Sequence, residues 1–561
     1  MTTTVIVRFI DRSLAHIGFN VVYYVKLSGW DKTLMVSLLE LLRDGYFPRE
    51  LPPPFTSQSF ATTIVSSGSA LPNSIMNGEL RNNRRWAMAA PYHISRIGKL
   101  QRRLSIPNPI TQARLSKEIA DNWAVLQAFT SQSQLSLSTP KAGTNRAIIP
   151  ENSWGVIPGI RAVKQIGERF LVKTDINNFY HSIYTHSLPW ALHTKSVAKV
   201  NRGHNYLGNL LDSLIQMGQE GQTSGIPIGP DTSFMLAELL LTAIDAELIG
   251  KLGPLNGFRY VDDYELCFPT MSEAEKALHQ LELILGEFEL SLNPTKTGIH
   301  DTPFILQDNW ATELNRFEIR DKPVSQRNDL IGYFSRVGEL SKVFEDQSVY
   351  RFAIARFRTL KVDASNVNLL QNLLLHCISS EQGTAPFALE ILVILNKSGY
   401  PPPQSQLKRV FDSQILYHGA QGHTSEVAWP LWGAIIFGVP LSLETAKVVS
   451  SIDNSIIALL ALDADSRGLF PPNSLDKTRW ELHMTTDSLY EDAWLLSYEA
   501  NIKGWLPSPS GVDHVAQDAN FNFLKSQGVQ FYDMANTSPV IPGATQPFAG
   551  PTGGLSPVAF K

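Results

Sequence analysis

The sequence predicts an α+β domain over residues 1–340 and an all-α region over 341–510, and three observations lead there. Between about 165 and 305, short apolar strands alternate with amphipathic helices. Beyond about 340 the β signals stop, and helix-length apolar segments follow one another roughly every twenty residues. The 561 residues are 43% hydrophobic and 18% charged, so the chain can bury several cores and is neither disordered nor fibrous.

In chain order, residues 1–80 begin with a mixed helical pattern and pass into GYFPRELPPPF at 45–55, where three successive prolines require an extended connection. Residues 81–120 carry nine basic side chains against one acidic one, Glu118, in a chain whose net charge is −4. That segment is either a solvated basic face or a phosphate-binding groove. RFLVKTDI (169–176) is an apolar strand ending in a carboxylate, and SFMLAELLLTAIDAEL (233–248) is a helix with Met235, Leu239, Ala243 and Ala246 near one face. FRYVDDYELCF (258–268) reads as strand, two-Asp turn, strand, and residues 273–290 return to helix. From 341 to 510 the spacing suits helical hairpins of HEAT-like type, with a plain bundle as the alternative. Residues 511–561, rich in Pro and Gly after Asp533, read as an extended tail.

Two cysteines, Cys267 and Cys377, exclude a disulfide scaffold and any Cys-rich metal site. No secretory leader is legible, and the longest apolar runs fall short of the ~18 residues that span a bilayer. The expectation is a soluble, intracellular protein.

Asp175 closes an apolar strand, and Asp262 with Asp263 occupies a turn between two others. Meeting across one sheet, they would supply hard oxygen ligands for two Mg²⁺ ions about 3.5–4 Å apart, with Mn²⁺ as a substitute. Taken alone, such aspartates are ordinary turn residues. Here TDINNFY, GIPIGPDTS, YVDD and LNPTKT occur in that order in one chain, at domain-like spacing. This order resembles the palm of a reverse transcriptase: an Asp followed five positions later by an aromatic, a Gly-x-Pro-x-Gly turn opening a helix, a Tyr-x-Asp-Asp hairpin and a Lys-bearing segment. DINNFYHSIYTHSLPWALHTK, GQTSGIPIGPDTSFMLAE and RRLSIPNPITQARLSKEIADNW resemble more narrowly the abortive-infection (Abi) reverse transcriptases of bacterial anti-phage defence.

That resemblance, over about 40–305, implies fingers and palm within 1–340 and a HEAT-like domain in place of a standard thumb. It also implies untemplated DNA synthesis from dNTPs, primed by a tyrosine so that single-stranded product stays attached to protein, in a trimer or hexamer of the bacterial cytoplasm. It makes Asp175, Asp262 and Asp263 metal ligands, with the Ile176 backbone carbonyl a further oxygen. Tyr180 stands where an aromatic crowds the sugar 2′ position and favours dNTPs, unless it is simply a core aromatic beside Phe179. Gly225, Pro227 and Gly229 allow close backbone approach on the base and template side. Ile228 stands where template-copying relatives usually place Gln, which favours untemplated activity. Lys296 matches the late lysine, as a proton donor to pyrophosphate or an exposed surface residue. For the triphosphate, Lys99 and Arg103 are the candidates, with Lys141 and Arg146 as rivals. Tyr46 is the priming candidate, with Tyr23, Tyr24 and Tyr532 as alternatives. Two other functions stay open: a template-dependent polymerase of retron or intron type, and a helical scaffold that sequesters a phage protein.

Overall fold

The computed structural model of the chain describes residues 35–76, 86–96, 100–508 and 511–536. Eight strands occur among them: β1 (Ala90–Ser95), β2 (Gln101–Ile106), β3 (Pro140–Ala142), β4 (Ile148–Pro150), β5 (Phe170–Asp175), β6 (Asn256–Tyr260), β7 (Asp263–Phe268) and β8 (Gly298–Asp301). β5 to β8 form one antiparallel sheet in the order β6-β7-β5-β8, and β1–β2 and β3–β4 are separate hairpins. The fold is α+β, followed by a helical region.

Alternation along β5 and β7 decides which side of this sheet is chemical. Phe170, Val172 and Thr174 stand opposite Phe268, Leu266 and Tyr264, and this face joins the apolar core beneath the sheet. Leu171, Lys173 and Asp175 stand opposite Cys267, Glu265 and Asp263 on the other face. The core is completed by the helices Asp231–Leu252 and Met271–Glu287. The first is buried on nearly every side, so apolar residues surround it and even Glu238, Thr242 and Asp245 are enclosed. Ala246, expected on the packed face, is exposed instead.

The basic stretch around residue 100 folds as the β1–β2 hairpin, which the sequence reading missed. Its β2 edge is held to the Gly-rich turn by the Ser105 amide donating to the Ile228 carbonyl at 2.9 Å. The helical region grips the same hairpin. The His93 amide donates to Thr424 Oγ1 at 2.7 Å and that hydroxyl donates back to the His93 carbonyl at 3.0 Å. Trp494 Nε1 donates to the Ile106 carbonyl, and Asn454 Nδ2 to the Pro91 carbonyl. One continuous apolar core therefore runs from Leu42 through this hairpin into the helices.

Among the described residues no strand follows β8, and helices from Asn309 onward pack against the next or the next but one. Two expected boundaries move. The helix Pro323–Val343 runs across position 340 and packs with the helices that follow it, because Leu330, Tyr333 and Phe334 join their core. The expected tail is folded over 511–536: His514–Gln517 and Ala519–Ser526 are helices, each capped by an Asp side chain. Beyond them Phe531 and Tyr532 are fully buried, and a backbone bridge joins Tyr532 to Phe55. The apolar side chains outweigh the Pro/Gly composition, which is concentrated in residues 537–561, outside the described residues. The prolines 52–54 are indeed a non-helical connection, buried against this C-terminal segment. No helix among the described residues is long and apolar enough to cross a membrane.

Candidate active site

The antiparallel register brings the distant carboxylates together. Asp175 lies directly opposite Asp263, which puts their Cβ atoms about 4.5–5.5 Å apart on one face. Asp262 occupies the adjoining turn, where its carbonyl accepts the Ile176 amide at 3.3 Å. Ile176 itself is buried at the strand end, bridged to Leu292. Lys296 reaches the same point and pairs with Asp175 Oδ2. Its segment is drawn in by the Asn293 amide donating to the Asp175 carbonyl at 2.9 Å. The sequence's late lysine and first aspartate therefore meet.

Asp175 is 4% exposed, and its Oδ1 is buried without a hydrogen-bond partner. An unsatisfied carboxylate oxygen in that position is the group a hard cation would complete. Among the described residues, no three His, Cys, Asp or Glu side chains already converge as a preformed metal cluster. Lys296 stands at Asp175 as a counter-charge. Carboxylate oxygens are the donor chemistry magnesium takes, and Asp175, Asp262 and Asp263 are the residues that would hold it, with Ile176 adjacent.

The Asp262 turn is strained. Val261 has φ +52°, a left-handed conformation that for a β-branched residue costs roughly 1–3 kcal/mol. The surrounding groups enforce it. The Val261 amide donates to Ser138 Oγ at 2.8 Å, and Arg259 Nη1 donates to the Val261 carbonyl at 2.9 Å. Arg259 is itself fully buried between Glu238 and Asp245, both of them on the central helix.

Around the carboxylates, Tyr180 is half-buried, its ring edge-on to Phe179, and the Ile226 amide donates to its carbonyl at 2.8 Å. Burial, together with nearby Asp262, pushes its phenol far above the usual range. Gly225 has φ +83°, and a Cβ there would lie 3.1 Å from the His181 carbonyl. Gly229 has φ +132°, and a Cβ would lie 2.5 Å from Pro48 Cγ. Pro227 lines a small buried pocket with Pro107, Gln112 and Leu236. The Gly-rich turn is thus packed from both sides, by His181 and by the 45–55 segment.

The phosphate candidates separate. Lys99 lies outside the described residues. Arg103 is exposed on β2, cross-strand from His93. Arg102, which the sequence reading passed over, is on the opposite face of β2, and its charge is felt by Asp262 and Tyr180. Burial lowers its guanidinium from the ordinary range, as does Arg96 nearby, while Asp262 and Glu50 offset this. Period-2 alternation distinguishes the two arginines, a signal that needs the strand to be recognised first. Lys141 donates to the Glu151 carbonyl within the β3–β4 hairpin. Arg146 is a structural clamp: it pairs with buried Asp231 and donates to the carbonyls of Phe47 and Gly229.

Tyr46, the priming candidate, is enclosed. It is fully buried beside Phe47 and Phe60, and its hydroxyl donates to the Pro107 carbonyl. The extended proline segment, expected to let this ring reach a cleft, packs inward. Tyr532 is likewise enclosed, donating to Asp463 Oδ2 at 2.8 Å. Tyr23 and Tyr24 lie outside the described residues.

Residues 109–313 match the reverse transcriptase (RNA-dependent DNA polymerase) family. The match spans the Gly-rich turn, the two-Asp hairpin, Asp175 and Lys296. No curated protein matches the chain. Among solved structures it is similar to telomerase from Candida albicans in complex with a TWJ fragment of telomeric RNA, at 11% identity and a TM-score of 0.27, over 63% of this chain and 65% of that one. It is also similar to apo telomerase from Candida tropicalis, at 10% identity and a TM-score of 0.30, over 68% and 66%. The chain spans just under two thirds of each.

Proposed function

We propose that this protein is a DNA polymerase of reverse-transcriptase type that joins dNTPs by two-metal nucleotidyl transfer. The observation that carries this reading is the cross-strand pairing of Asp175 with Asp263, with Asp262 in the adjoining turn. When bound, Mg²⁺ would activate the attacking 3′-hydroxyl and neutralise charge on the leaving pyrophosphate. The protein's own groups do the rest. Asp175 and Asp263 share one face with Asp262 in the adjoining turn, Tyr180 limits space at the sugar, and Arg102 offers a planar donor to phosphate. Lys296, once released from Asp175, is placed to give a proton to the departing pyrophosphate.

Untemplated, tyrosine-primed synthesis in anti-phage defence, by a cytoplasmic homo-oligomer, is the finer form of the same proposal. The Abi-like wording of the palm motifs and Ile228 in place of the usual Gln support it. With Tyr46 enclosed, priming falls to another tyrosine, which mass spectrometry of protein purified from cells would identify by its attached nucleotides. The direct test incubates purified protein with Mg²⁺ and dNTPs, with and without an RNA template and primer. DNA made without template, and lost in Asp262→Ala while the fold is intact, is the expected result. Synthesis that rises strongly with template and copies its sequence would replace the untemplated reading by the template-dependent one. Equal product from Asp262→Ala would remove the site assignment.

A further inference from the structure

Resting on the nucleotidyl-transfer reading of the same site, we propose that Ser138 and Arg259 are positioning residues that aim Asp262 by holding Val261 in its left-handed conformation. Neither side chain is among the acidic residues, and Ser138 comes from the stretch SQSQLSLS at 131–138. In the fold this stretch lies against β6, with Ser136 bridged to Arg259 and the Arg259 amide donating to the Leu135 carbonyl at 2.7 Å.

The two contacts on Val261 are complementary. Ser138 Oγ takes its N–H at 2.8 Å and Arg259 Nη1 donates to its C=O at 2.9 Å, so both backbone polar groups of the strained residue are fixed. The holders are fixed in turn. Ser138 Oγ donates its own proton to Glu238 Oε1 at 2.7 Å, and Ser136 donates to Glu238 Oε2 at 3.0 Å. Arg259 reaches Glu238 through both terminal nitrogens and Asp245 through Nε, while Ser133 and the Tyr264 hydroxyl complete Asp245. A guanidinium with no solvent exposure between two carboxylates on one helix is a rigid anchor. The central helix is thereby tied to the backbone atom pair immediately before Asp262.

Removing the anchor itself risks the fold, so Ser138→Ala is the informative variant, paired with Val261→Gly. Glycine adopts a left-handed φ without steric cost, so it relieves the need for holding. The expected result is that Ser138→Ala lowers Mn²⁺ affinity, measured by electron paramagnetic resonance on the protein alone, and kcat, each roughly ten- to hundredfold. The KM for dNTP stays within about twofold, since the sugar and phosphate contacts are untouched. Ser138→Ala/Val261→Gly recovers most of both losses. A Ser138→Ala protein with wild-type Mn²⁺ affinity and kcat overturns the proposal. So does a loss that Val261→Gly leaves unchanged, because the serine would then serve only Glu238. If the wild-type protein makes no DNA, the polymerase reading fails, and the Mn²⁺ arm still decides the positioning role.

Discussion

Asp175 and Asp263 face each other across β5 and β7, 88 residues apart in sequence yet at adjacent backbone positions, and Lys296 closes the group from a third segment. Two acids on one face with one counter-charge leave Asp175 Oδ1 unsatisfied. Asp175→Asn should therefore abolish nucleotide incorporation, by roughly a thousandfold or more, since it removes a ligand charge worth several kcal/mol in the transition state. Circular dichroism should be unchanged. Retained incorporation by a folded Asp175→Asn protein would contradict the site.

Lys296→Met tests the counter-charge separately. It keeps the apolar stem and removes the ammonium, so incorporation should fall by roughly a hundredfold if proton donation is its role. Single-turnover kinetics distinguish this from a surface residue: replacing a merely exposed lysine would leave the rate of the chemical step unchanged.

Tyr180 is half-buried close to Asp262. Tyr180→Ala opens that space, so preference for dNTPs over rNTPs should drop roughly ten- to hundredfold, read as the ratio of kcat/KM values. An unchanged ratio would make the ring a packing residue only.

Gly229 has φ +132° and Pro48 at its back. Gly229→Ala forces both a strained backbone and a steric conflict with a proline ring, which should cost about 1–3 kcal/mol. The melting temperature should fall. Proteolysis should first appear within the 45–55 segment, which the same turn holds through Arg146 and Asp231.

Glu499 is fully buried beneath the C-terminal segment, where it accepts the Phe531 amide, and burial raises its carboxyl to about 7 despite Lys503 nearby. A carboxyl whose folded pKa is raised stabilises the fold when protonated, so its contribution is complete below the unfolded value of 4.5 and is lost as pH rises through 7. The slope approaches about 1.4 kcal/mol per pH unit within that window. Melting temperature should decline from pH 5 to 8 more steeply in wild type than in Glu499→Gln. Parallel profiles would show that Glu499 does not titrate there.

The sequence by itself determined the candidates: Asp175 at a strand end, the Asp262–Asp263 turn and Lys296 were legible because each motif is local, and short-range patterns of period two and turn residues expose them. It also determined the α+β character and the helical region, since apolar periodicity survives whatever the elements pack against. Tertiary structure alone decided which side chains point where. Tyr46 lies on a segment that prolines keep out of regular structure, yet extended backbone is silent about burial, and here Phe531 and Phe60 enclose the segment. Arg102 and Arg103 are neighbours in sequence but lie on opposite faces once β2 forms. Ser138 and Arg259 carry no local sign of their partnership, because their contacts span 123 residues to Val261 and 21 to Glu238. Such long-range contacts depend on chain topology, and only the folded arrangement supplies it.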